Sequence, residues 1–143
     1  MNSRLDELQA AILRAKLPYL DAGNRRRREI ASEYNAALSE SAFIPLDRRT
    51  STEHVFHQYV IRTPDRRALQ AHLHGKGIGT AVYSPVPVHR QRAYIGPVLL
   101  GPFGYDMTER LASELVGLLI FPELTGAQIS RVYSALHCFD AHE

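Results

Sequence analysis

The sequence predicts an α+β sandwich: one long N-terminal helix, then a small sheet of about three strands covered by helices. Three observations predict it. Apolar residues recur at helical spacing over residues 3–39. Three short β-branched or aromatic runs follow, at 55–61, 78–83 and 117–121. Helical patterns capped by polar residues separate and close these runs, which places helices against a sheet.

Leu5, Leu8, Ile12 and Ala15 form the first stripe, with Asn2 or Ser3 before it as the expected cap. Pro18 kinks or ends that helix near Lys16 and Leu17. Ile30, Tyr34, Ala37 and Leu38 mark a second helical stretch from about Asp21 to Ser39. The two stretches read either as one kinked helix or as a pair, and we take the former. A polar loop follows Pro45. Asp65 or Thr63 starts a helix that Gly75, Lys76 and Gly77 end. Residues 84–105 are rich in proline and glycine, which predicts a long loop with one helical turn near Gln91 to Tyr94. A loop of that length in a small domain is usually functional or a docking segment. Asp106 to Leu115 is helical, and Thr125 caps a last helix carrying Ile129, Val132, Tyr133 and Leu136 on one face.

At 143 residues and 45% hydrophobic composition the chain can build one core without staples. Residues 1–40 are expected to form an interdomain-type helix and 41–143 a small α/β domain, together one compact unit. The single cysteine excludes an internal disulfide framework and a cysteine-based zinc cluster. No apolar run approaches bilayer length and no secretory leader pattern is present, so no membrane role and a cytoplasmic location are expected.

A net charge of +2 gives little attraction for nucleic acid. Arg25 to Arg28 fan around a helix and cannot make one patch, so solvated residues with one or two inward guanidinium pairs are expected. The seven histidines show no helical pair at ligand spacing and no carboxylate cluster, so no metal site is expected. Ser84 to His89 holds two prolines, which present Tyr83 and His89 on a stiff loop. Such a loop suits either a binding site or a rigid crossover.

Taken in order, four stretches resemble the DegT/DnrJ/EryC1/StrS sugar aminotransferases. The segment with Asn2, Arg4, Ala10 and Ala11 resembles that family's G-x-N-x-R-M-x-x-x-x-A-A run. His54 through Arg62 resembles its H-x-Y-V-I-R strand. Gly77 through Tyr94 resembles G-I-x-T-x-x-H-Y-P-x-P-L-H-x-Q-x-x-Y, and Leu118 to Thr125 resembles the closing L-x-L-P-x-x-P-x-L-T element.

The resemblance implies the small C-terminal domain of a fold-type I enzyme. It also implies pyridoxal phosphate as cofactor, an amino-acid donor, a nucleotide-linked keto sugar as acceptor, and a homodimer. Asn2 and Arg4 are then cofactor-phosphate contacts, while Tyr83, Ser84 and His89 face substrate. Tyr83 and Ser84 stand where the family has histidine and tyrosine. No catalytic residue is expected here. Lys16 sits within an amphipathic helix and Lys76 in a Gly-x-Gly turn, neither a desolvated site for an imine-forming amine. The large domain is expected to precede Met1 or to come from another chain, and this chain alone is expected to be inactive. The alternatives are a self-associating interaction module that buries the Leu5, Leu8 and Ile12 stripe, and nucleic-acid binding through the arginines.

Overall fold

The computed structural model describes residues 6–45, 52–94, 96 and 104–140. The described residues open on a continuous helical path. Helix α1 (Glu7–Lys16) passes through a tight 3-10 turn at Leu17–Tyr19 into α2 (Leu20–Ala37). Pro18 lies in the first positions of that turn, where its missing N–H costs nothing, so the path tightens instead of breaking. The single kinked helix is thus what forms. Its cap differs from the expectation: the Asp6 carboxylate accepts from the Gln9 amide at 2.7 Å, in place of Asn2 or Ser3. Those two residues lie outside the described ones.

Helix α1 buries none of its residues, and Leu8 and Tyr19 are 71% and 73% exposed. Helix α2 buries Ile30, Ala31 and Tyr34. The Tyr34 hydroxyl donates to the Leu119 carbonyl at 3.0 Å, and burial, with Glu33 nearby, pushes its pKa up to about 12. Among the arginine run, Arg26 pairs with Glu29 and Glu33 and donates to the Leu124 carbonyl, while Arg28 pairs with Glu53. These are the solvated and inward partners the helical fan implies.

Among the described residues three antiparallel strands follow in spatial order β1 (Ile44–Pro45), β2 (Tyr59–Arg62) and β3 (Leu115–Leu118). Ile61 pairs with Val116 and Tyr59 with Leu118, so one sheet face carries all four into the core. Helices α2, α3 (Arg66–Gly75) and α5 (Gly126–Asp140) supply Ile30, Tyr34, Leu69, Leu73, Ile129 and Leu136 against that face. Helix α4 (Asp106–Glu114) leads directly into β3.

The caps explain these boundaries. Asp65 accepts from the Ala68 amide at 2.9 Å and starts α3. At its end Gly77 has φ of +71°, the Ile78 amide bonds to Leu73 and the Gly77 amide to His74, a Schellman closure. Thr125 and Gln128 exchange hydrogen bonds in a capping box ahead of α5.

The sheet corrects the strand expectations. The run at 55–61 pairs only from Tyr59, because Phe56 sits at φ of +49°, outside extended geometry. The run at 117–121 pairs earlier, over Leu115–Leu118. The run at 78–83 contributes one bridge, Ala81 to Gly117, with both amides donating at 2.9 and 2.8 Å. Strand β1 escaped the sequence reading since two residues with a proline carry no periodic signal.

At that bridge the backbones meet closely. A Cβ on Gly117 would lie 2.4 Å from the Tyr83 ring and 3.3 Å from the Ala81 carbonyl oxygen. Gly117→Ala should therefore cost about 1–3 kcal/mol by overpacking. Urea unfolding of a double-mutant cycle checks this: adding Tyr83→Ala should recover most of the loss, and additive losses would contradict the ring contact.

Candidate functional site

Residue-level geometry places the candidate site on the chain that leaves the Ala81 bridge. Tyr83 lies over Gly117 on the sheet face opposite the core, because Gly117 alternates with the buried Val116 and Leu118. Ser84 then takes φ of +52°, a left-handed conformation uncommon without glycine, and turns the chain off the sheet. Pro85 and Pro87 stiffen the next stretch, which closes in two 3-10 turns, Val88–Arg90 and Arg92–Tyr94. The second is the helical turn expected near Gln91 to Tyr94. Gln91 ties the turns to the proline stretch by donating to the Val86 carbonyl at 3.3 Å.

Between this loop and α4 runs a groove of about 840 Å³. Val86, Pro87, Leu111 and Leu115 make its apolar walls, and Arg90, Arg92 and Thr108 its polar edge. Tyr83 and Ser84 line the same groove. A mostly apolar hollow with a few placed polar groups suits an organic ligand with an anionic part.

His89 points elsewhere. Its Nε2 lies 2.9 Å from Glu109 Oε1, and its ring stacks on Tyr105 at 4.2 Å with planes 14° apart. Arg90 donates twice to the same carboxylate, at 2.8 and 2.7 Å. So Tyr83 and Ser84 come together at the groove, and His89 braces the loop from behind. Asn2 and Arg4 lie outside the described residues. The sequence reading missed Glu109, Arg92 and Thr108. Only the charge of Glu109 beside an amphipathic stripe hinted at a role, and its partners lie 19 and 20 residues away across a loop.

The Arg90 hydrogen bonds, then the His89 bond, hold the Glu109 carboxyl down to about 2, and the same pairing raises Arg90. Being ionised, Glu109 can only accept, so the His89 Nε2 carries the proton.

The model of the DegT/DnrJ/EryC1/StrS aminotransferase family matches residues 1–137, and the chain belongs to that family. It is 41% identical to the dTDP-3-amino-3,6-dideoxy-alpha-D-galactopyranose transaminase of Aneurinibacillus thermoaerophilus, over 96% of this chain and 37% of that protein. The fold superposes on a DegT DnrJ EryC1 StrS aminotransferase from Brucella abortus with a TM-score of 0.91 at 31% identity, covering 98% of this chain and 37% of the other. It matches S. venezuelae DesV, solved in complex with a ketimine intermediate, equally well: TM-score 0.91, 36% identity, 98% of this chain and 38% of that one. The chain thus spans a little over a third of the length of the relatives it matches.

The family implies pyridoxal phosphate, and the residues described here do not fit its covalent attachment. Lys16 and Lys76 are the only lysines in the sequence, and both are exposed. Lys76 sits at the open end of α3, its carbonyl bound by Arg131, beside a shallow hollow shared with Ser134. Neither amine lies in a desolvated pocket of the kind an imine-forming lysine needs.

The Glu109 pairing has a definite pH sign. Its folded value lies below the ordinary 4.5, so the pairing favours the folded state fully above about pH 4.5 and is lost as pH falls through about 2. Glu109→Gln should lower the melting temperature slightly at neutral pH, less so in high salt because the pair is solvent-facing. It should also flatten the acid decline between pH 4.5 and 2 relative to wild type. Thermal melts across that range test it, and parallel profiles would contradict it.

Proposed function

We propose that this chain is the small C-terminal domain, with its leading interdomain helix, of a pyridoxal-phosphate-dependent aminotransferase that aminates nucleotide-linked keto sugars. The observation that supports this most is the 41% identity to a dTDP-sugar transaminase over 96% of the chain. Residues 1–40 serve as the interdomain helix and 41–143 as the small domain. The apolar residues of α1 that face solvent, Leu8 and Ile12 among them, are covered in the working enzyme by the rest of the fold.

Pyridoxal phosphate, when bound, supplies the electron sink for amino transfer. The lysine that anchors it comes from outside these residues, so the chain by itself is inactive. Asn2 and Arg4 reach the cofactor phosphate, an amide and a guanidinium being suited to that anion. Tyr83 and Ser84 present the groove to the sugar nucleotide, and His89 holds their loop. The enzyme works as a homodimer in the cytoplasm with an amino acid as donor.

Two experiments test this. The purified chain, mixed with pyridoxal phosphate and reduced with borohydride, should show no stoichiometric adduct by mass spectrometry. A stoichiometric adduct on Lys76 would overturn the assignment. In the positive arm, this segment replaces its counterpart in the Aneurinibacillus transaminase. The chimera should hold cofactor and turn over dTDP-keto sugar; a folded, cofactor-loaded chimera without turnover would count against the reading.

A further inference from the structure

Arg90 lines two hollows: the groove and a smaller one of about 340 Å³ shared with Arg66, Glu109 and Ser113. Glu109 lines only the smaller. The pair they form therefore stands on the ridge between the two. One Glu109 carboxylate meets both consecutive side chains of the Val88–Arg90 turn: Oε1 takes His89 and Arg90 Nε, and Oε2 takes Arg90 Nη2. Within the loop itself the turns are held by three backbone bonds, Arg90 to Pro87, Gln91 to Val88 and Tyr94 to Gln91, and by the Gln91 side chain. None of these joins the loop to α4; Glu109 does.

We propose that Glu109 is a positioning residue. It pins the Val88–Arg90 turn to α4, and so sets both the shape of the groove wall and the charge that wall shows to a ligand. The bidentate geometry aims the Arg90 guanidinium at Glu109 and cancels its charge on the ridge. Arg92, outside this pair, is left as the groove's cationic edge. The charged and titratable groups around Glu109 are His89 and Arg90 from the turn, Arg66 from α3 across the smaller hollow, and Tyr105 beneath His89; on α4 itself Asp106 stands one turn before it, and Arg110 leans toward Glu114. The hydrogen bonds from Arg90 and His89 hold the carboxylate ionised and the pin closed at neutral pH. That this wall meets a sugar nucleotide rests on the function proposed above; the pinning does not.

Amide exchange by NMR on the full 143-residue chain tests the pinning. In Glu109→Ala the amides of Arg90, Gln91 and Tyr94 should lose about tenfold of their protection, with the core amides of Ile61 and Leu73 unchanged. Glu109→Gln, which still accepts from His89 but carries no charge, should fall between. The His89 ring nitrogens should report the proton on Nε2 in wild type and in Glu109→Gln, and lose that signature in Glu109→Ala. Should Glu109→Ala loosen loop and core together, Arg90→Ala decides, since it opens one side of the pin and leaves His89 paired. Loop protection within about twofold of wild type in the deciding variant would overturn the proposal. In the transaminase chimera, Glu109→Ala should raise KM for the sugar nucleotide more than it lowers kcat. An unchanged KM beside loosened loop amides would remove the link to the groove and leave the pinning intact.

Discussion

The missing side chain at position 117 is the constraint on which the site depends. Strand β3 is flanked by β2 on one edge and by the Ala81 bridge on the other, and its face opposite the core must accept the Tyr83 ring. Only glycine leaves room. The contact fixes where the chain leaves the sheet, Ser84 turns it, and the two prolines carry it outward with few accessible conformations. The groove wall inherits its position from that sequence of events. One backbone approach thereby couples a core strand to the surface where a ligand would sit.

Polar chemistry finishes what packing begins. Buried apolar side chains from α2, α3 and α5 hold the sheet, but they do not determine how the 84–94 stretch lies on α4. That is settled by ionised groups at partial exposure, where charge-assisted hydrogen bonds have direction and apolar contacts do not. The chain uses arginine for this throughout. Arg26 reaches the Leu124 carbonyl, Arg66 the Ala112 carbonyl and Arg62 the Glu114 carboxylate. A planar fork can hold a loop carbonyl or a carboxylate in one orientation, which an ammonium does less well.

How much of this could be read from the residues follows physical lines. Caps and helix faces were legible because their signals are local: Asp65 before α3, Thr125 before α5, and Leu69 with Leu73 at a four-residue spacing. The architecture was legible for the same reason, and the family through four stretches in order. Strand ends were not, since pairing is decided by distant partners; Ile78 to Tyr83 reads as a strand, yet supplies a single bridge because the chain turns away over Gly117. Within the site, the loop's composition pointed to Tyr83 and the family resemblance to Ser84, whereas Glu109 was invisible. A carboxylate on a helix looks solvated until the fold brings His89 and Arg90 to it.

Above all, the loop wall is tied to the sheet through the Ala81 and Gly117 pair. Hydrogen exchange of those two amides in the intact chain measures the tie directly. With the bridge closed, both exchange as slowly as the most protected amides of β2 and β3. Exchange at the rate of exposed loop amides, with the strands still protected, would show the bridge to be open and would contradict that tie.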